Sequence, residues 1–231
     1  MEVRASRRER LRAEAAQEIK TIALRLMAEG GPAAISLRAI AREMGMTAGA
    51  LYGYYATRDE LVTELIAEVY TGLAEFEEGA RDAVPKEDTA GRLVAVGTAF
   101  RLWAIGHPEG FQLIYGDAVP GYQKPAGGAG TAAEQRACAV LTGIVADAWP
   151  HVTVSDGDYA WSDFVPGFAD VIRASFPDLP PAAVALAMRV WGRLHGLVAL
   201  EVYGHLRPQV MDPAKLYRAE LLDLATTLGL R

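Results

Sequence analysis

Apolar positions along the chain recur at intervals of three and four residues, the period of a helix with one buried face. Leu11, Ala15, Ile19, Ile22 and Leu26 form one such stripe and predict a helix over residues 7–28. Gly30, Gly31 and Pro32 stop it. Ser36 is placed to cap a short helix whose Leu37, Ile40, Ala41 and Met44 face inward. Gly45 ends that helix, and Thr47 opens another over residues 48–54. Thr57 and Glu60 have the spacing of a capping box at the head of a longer helix, 58–81. Further helices are predicted over 87–106, 108–115, 131–149, 161–175, 181–206 and 213–229, the last opened by Asp212 and Pro213. The stretch "HVTVSD", 151–156, is the one strand candidate, and the Gly/Pro-rich stretch 116–131 reads as a mobile loop. The pattern predicts an all-α protein, with a three-helix N-terminal domain over residues 1–58 and a larger helical domain over 59–231.

Composition adds limits. Of the 231 residues 51% are hydrophobic, enough for a core without covalent staples. No window of about 18 apolar residues lacks charge or proline, so no membrane span is predicted. The first twenty residues, "MEVRASRRERLRAEAAQEIK", are charged where a secretory signal needs an apolar run, and the expected compartment is the cytoplasm. One cysteine, Cys138, excludes an internal disulfide and a cysteine zinc site, and reads as a small packed hydrophobe. The net charge of −6 conceals an asymmetry. Residues 1–58 hold 10 Lys/Arg against 6 Asp/Glu, and residues 59–231 hold 13 against 23. A basic quarter on an acidic body is compatible with nucleic acid, because surface fields are screened within about 10 Å. On charge alone, a solvated arginine-rich helix face explains the same numbers.

The segment "GMTAGALYGYYATRDEL", 45–61, decides between those readings. Two short helices joined by Gly-Met-Thr make a helix-turn-helix, with glycine where the turn needs a left-handed backbone. The second helix starts on small residues, Thr47, Ala48, Gly49 and Ala50, which let its N-terminus approach a flat partner and read base edges in a major groove. Leu51 and Tyr55, four apart, are expected to anchor the helix inward. Tyr52 and Tyr54 then point elsewhere, with hydroxyls for phosphate oxygens, and Arg58 adds a charge beside them. The candidate DNA contacts are therefore Ser36, Thr47, Ala48, Gly49, Ala50, Tyr52, Tyr54 and Arg58, with Arg7 and Arg8 as a basic arm.

With these residues in place, "AISLRAIAREMGMTAGALYGYYATRDELVTELI", 34–66, closely resembles the DNA-binding segment of the TetR (tetracycline-repressor) family of transcriptional regulators. The family pattern is carried by Ser36, Ile40–Ala41, Gly45–Met46–Thr47, Leu51–Tyr52, Tyr55 and Arg58, where Tyr55 replaces the usual Phe and Arg58 the usual Lys. "LWAIGHPEGFQLIYG", 102–116, and "WGRLHGLVALEVYGHL", 191–206, look like the helical regulatory domain of one branch of that family. The resemblance implies a homodimeric repressor on a pseudo-palindromic double-stranded operator, released by a small hydrophobic effector in the C-terminal domain. A ligand-independent regulator or an activator is the alternative.

Other residues carry weaker signals. Phe100, Trp103, His107, Phe111 and Tyr115 form an aromatic stripe, with Trp161, Phe164 and Phe168 as a possible opposite wall. Their spacing fits a ligand cavity, but any buried helix in an ordinary core shows the same spacing, and the core is the favoured reading. Ala185, Gly192, Gly196 and Ala199 form a small-residue stripe that admits close approach of another helix, and the resemblance implies that this helix belongs to a second copy. His195, Glu201 and His205 cannot converge on a metal from one helix, and a Glu201–His205 hydrogen bond is expected instead. No metal and no other cofactor is predicted. No nucleophile–base pair, phosphate-binding glycine loop or paired carboxylates occur at a plausible site, so an enzyme is not expected.

Overall fold

The structure is a computed structural model that describes residues 6–117, 119–125, 129–152 and 157–230. Among these residues there are ten α-helices and no strand: α1 (Arg7–Gly30), α2 (Leu37–Glu43), α3 (Ala48–Tyr52), α4 (Arg58–Asp82), α5 (Thr89–Gly106), α6 (Pro108–Tyr115), α7 (Ala129–Ala148), α8 (Pro166–Ser175), α9 (Pro181–Val202) and α10 (Pro213–Thr227). The chain forms two compact units: Met1–Tyr70 with His107–Ala132, and Thr71–Gly106 with Ala133–Arg231. These units do not coincide with a cut after residue 58. The N-terminal half of α4, together with α6 and the segment after it, belongs with the first unit.

In the first unit Ile19, Ile22, Ala23 and Met27 of α1 pack on Leu37, Ile40 and Ala41 of α2, on Leu51 of α3 and on Leu61, Val62 and Leu65 of α4. The buried stripe of α1 thus begins at Ile19, and Leu11 is 55% exposed. Ser6 caps α1: its hydroxyl accepts from the Glu9 N–H at 3.2 Å, and its own N–H donates to the Glu9 carboxylate at 2.6 Å. At the head of α4, Thr57 accepts from the Glu60 N–H at 3.1 Å. The Glu60 carboxylate reaches back to the Ala56 N–H at 2.7 Å, one residue earlier than a capping box would place it. The segment 119–122 is not a loose loop. Val119 is 7% exposed in this core and Tyr122 packs against it.

In the second unit α5 packs on α9 and α10. A Cβ on Gly97 would lie 2.3 Å from Leu221 Cδ2, so a larger residue there would force the Leu221 side chain between α5 and α10 to shift. The helix expected over 161–175 is broken: Trp161–Asp163 is a single 3-10 turn, and α8 restarts at Pro166, whose missing N–H suits a first helical position. Apart from a turn at Trp149–His151, the strand candidate falls mostly on 153–156, outside the described residues. By length and composition α9 is apolar enough to cross a membrane, yet Val184, Leu186, Val190, Leu194 and Val198 are buried in the unit's core. Cys138 is exposed, contrary to the packed position expected for it. Glu201 does not pair with His205 either. Its carboxylate accepts two hydrogen bonds from Arg101 of α5, at 2.7 and 2.5 Å, and the pair is largely buried.

Candidate nucleic-acid interface

The turn between α2 and α3 is built by backbone geometry. Gly45 has φ of 64°, a conformation that costs any residue with a Cβ. The Gly45 N–H donates to Arg42 O at 3.3 Å and the Met46 N–H to Ala41 O at 2.9 Å, so the last carbonyls of α2 are satisfied. Thr47 then caps α3, its hydroxyl accepting from the Ala50 N–H at 3.2 Å. Beneath, Leu51 is fully buried and Tyr55 is 3% exposed. Burial, with the carboxylates of Glu64, Glu68 and Glu60 nearby, pushes the Tyr55 phenol above its ordinary value, so it stays a neutral donor.

Anchoring from below leaves the other side of α3 open. Thr47, Ala48, Gly49 and Ala50 are exposed, and Tyr52 is 48% exposed. The first turn itself carries only these small, exposed residues, so a flat surface can approach its backbone. Ser36 is half-buried at the N-cap position of α2 but makes no side-chain capping bond, which corrects the expected cap. Tyr54 is half-buried, with the Arg12 guanidinium 5.0 Å from its ring centroid. Arg12 also donates to Gly53 O at 2.8 Å and so ties α1 to the end of α3. Nothing in the arginine-rich start of α1 singles out Arg12 from Arg7, Arg8 and Arg10 in sequence. Arg38 and Arg42, exposed and four apart on α2, are likewise not among the expected contacts. Their position outside the Leu37–Ile40–Ala41 stripe was the available signal.

Arg58 departs most from expectation. Its Nε donates to Ile35 O at 2.7 Å, Nη2 to Pro32 O at 3.0 Å and Nη1 to Pro120 O at 2.9 Å. The guanidinium holds three carbonyls of its own unit.

A family model described as bacterial regulatory proteins, tetR family, matches residues 21–65, the helices just described. A second, described as tetracyclin repressor-like, C-terminal domain, matches residues 93–224, more than half of the chain. The chain belongs to the TetR family. It is a transcriptional regulator with a DNA-binding helix-turn-helix. The HTH-type transcriptional regulator Rv1816 of Mycobacterium tuberculosis is 30% identical to it over 236 aligned residues, 98% of this chain and 97% of that one. The solved regulatory protein SCO4313 is 34% identical with a TM-score of 0.76, over 96% of this chain and 100% of that one. A tetR-family regulator from Rhodococcus RHA1 has a TM-score of 0.66 at 17% identity, over 94% and 98% of the two chains, and attests to the fold alone.

In this TetR-family chain the aromatic residues singled out as a ligand wall are divided. Phe100 and Trp103 are buried in the second unit, at 5% and 4% exposure. His107, Phe111 and Tyr115 belong to the first, where Phe111 is fully buried with its ring centroid 5.1 Å from that of Tyr115. Trp161, Phe164 and Phe168 form a separate cluster around Ile172 and Leu179, with adjacent ring centroids 6.1 and 6.0 Å apart. A groove of about 810 Å³ in the second unit is lined by other residues. Its floor is α5 (Val94, Ala95, Thr98, Leu102), and its walls are Phe76 and Ala80 of α4 and Leu222 and Ala225 of α10. Glu75 and Arg218 also border it. Of the small-residue stripe on α9, Ala185 is buried within its own unit, Gly192 is exposed, and Gly196 and Ala199 are half-buried. A Cβ on either glycine would meet nothing within 4 Å.

Proposed function

We propose that the protein is a dimeric cytoplasmic repressor that holds a pseudo-palindromic double-stranded operator and releases it when a small hydrophobic effector binds the second unit. The observation that carries this reading is the open first turn of α3: exposed Thr47, Ala48, Gly49, Ala50 and Tyr52 above buried Leu51 and Tyr55. A helix presented this way reads base edges with its first turn, and its neighbours grip phosphates. Two such helices about one DNA turn (~34 Å) apart fit a pseudo-palindrome. Dimerisation is supported by α9 and its C-cap, where Met188, Trp191, Leu200 and Tyr203 are 41–47% exposed on the element that carries Gly192 and Gly196. An apolar effector is supported by the groove on α5, whose volume lies in the range of small-molecule sites.

The test is a gel-shift of DNA from the gene's own upstream region across a salt series. Specific retention is expected, with affinity falling at about −0.9 in log–log slope for each phosphate contact. Affinity that hardly changes with salt, or no retention at low salt, rejects the reading. Reporter expression with and without the protein separates a repressor from an activator.

A further inference from the structure

Arg58 opens α4, and its guanidinium reaches two separate stretches of chain. Pro32 opens, and Ile35 follows, the 3-10 turn Pro32–Ala34 that delivers α1 into α2. Nε and Nη2 of Arg58 donate to the carbonyls of Ile35 and Pro32. Nη1 donates to the carbonyl of Pro120, 62 residues further on and beyond α6. A planar fork with five N–H donors on three nitrogens can serve three carbonyls spread around it, whereas the three donors of a lysine ammonium share one nitrogen and reach three carbonyls only where these converge on a single point.

The segment that supplies Pro120 is seated by two further contacts. Val119 is buried with Ile35, Leu37, Leu51 and Leu61 in one core. The Tyr122 hydroxyl lies 3.0 Å from the Thr63 hydroxyl of α4. Thr63 donates its own proton to Asp59 O at 2.8 Å, so Tyr122 is the donor in that pair. An apolar side chain, a phenol and a backbone carbonyl thus dock residues 119–122 onto the helices that carry the DNA-reading face.

We infer that Arg58 is a positioning residue, a latch that makes the placement of α2 and α3 depend on the seating of residues 119–122, and is not itself a phosphate contact. When Pro120 leaves, Arg58 loses one of the three carbonyls that fix its fork, and its hold on Pro32 and Ile35 loosens with it. Segment 119–122 therefore has a direct hold on operator binding. The inference rests on DNA binding by the helix-turn-helix and is independent of any effector.

The test measures operator affinity of the full chain across a salt series for wild type, Arg58→Lys, Arg58→Gln, Tyr122→Phe and the Arg58→Gln/Tyr122→Phe double variant. Arg58→Lys and Arg58→Gln are both expected to weaken binding by about tenfold or more with the wild-type salt slope. Tyr122→Phe is expected to weaken it several-fold, also at constant slope. The double variant should lose less than the product of the single losses, because both changes release the same segment. Wild-type binding by Arg58→Lys, with a slope in Arg58→Gln shallower by about 0.9 per protomer, would restore Arg58 as a phosphate contact and overturn the latch. Wild-type affinity in Tyr122→Phe overturns it too. If circular dichroism shows that the Arg58 variants do not fold, Tyr122→Phe decides alone: a loss at constant slope supports the latch, and wild-type affinity or a changed slope rejects it.

Discussion

The helix-turn-helix unit and the second unit solve opposite problems with the same element. In the first, α3 is five residues long and held from below by Leu51 and Tyr55, so that its outer side stays small and open. In the second, α9 runs for 22 residues, and Met188, Trp191 and Leu200 along it, with Tyr203 at its C-cap, are exposed. A surface of small and hydroxyl-bearing residues suits a hydrated, charged partner. A surface of half-exposed large apolar residues suits a dry one. The lesson is that exposure alone does not define a functional face; the chemistry of what is exposed does.

If the comparison is right, the DNA-reading face fails most when its support is removed. Leu51 is fully buried, so Leu51→Ala should cost about 2–5 kcal/mol of stability. Operator binding should vanish with it. A thermal melt and a gel-shift check this, and a variant that melts and binds as wild type would mean that α3 is not anchored through Leu51.

On α9 the sharpest probe is Gly196→Glu. A Cβ there meets nothing within 4 Å inside its own chain, so the protomer should fold normally. An unpaired charge facing a second copy costs several kcal/mol when desolvated. Light scattering is expected to show a monomer, with unchanged circular dichroism and weak operator binding. A persistent dimer would place the contact on another surface.

Glu77 distinguishes the interiors of the two units. It is 8% exposed within the second unit, and burial, aided by neighbouring Glu78, pushes its carboxyl up to about 8. The folded state therefore keeps a proton that the unfolded chain has already released above its ordinary value of 4.5. Stability falls as pH rises from that ordinary value and levels off above about 8, with a slope of at most about 1.4 kcal/mol per pH unit. Glu77→Gln should remove this component. The variant's advantage in melting temperature over wild type should grow between mildly acidic and mildly alkaline buffer. An advantage that stays constant across that range would show that Glu77 does not titrate there.

The contrast also explains what could be read from sequence. Gly45, Thr47, Leu51 and Tyr55 perform distinct local tasks at fixed spacing, so turn, cap and anchor were legible one residue at a time. Arg58 was legible as an N-terminal cation of α4, but its partners Pro32, Ile35 and Pro120 are backbone carbonyls, which leave no mark in a side-chain pattern. Docking of Val119 was hidden for a related reason: one apolar residue among glycines and prolines has no period. In the second unit the helices were legible, apart from the break before Pro166, and their faces were not. Phe100 and Trp103 pack in a core with the spacing a cavity wall would have, while the groove rests on alanines such as Ala95 and Ala99, which look like filler.

The smallest expected effect is the most specific one. Tyr52 is 48% exposed, so losing its hydroxyl leaves no unsatisfied group in the core. Tyr52→Phe should change stability by less than about 0.5 kcal/mol. If the hydroxyl donates to a phosphate, operator affinity should drop by roughly 1 kcal/mol, the worth of one hydrogen bond. Because phosphates carry no base identity, the drop should be equal on the operator and on unrelated DNA. Ala50→Ser, at the exposed first turn of α3, should do the reverse: it should alter preference among operator variants and leave binding to unrelated DNA nearly unchanged. Binding curves for both variants on both kinds of DNA make this a two-by-two comparison. An altered sequence preference in Tyr52→Phe, or a uniform loss in Ala50→Ser, would reverse the roles assigned to the two residues and turn α3 by about one residue against the groove.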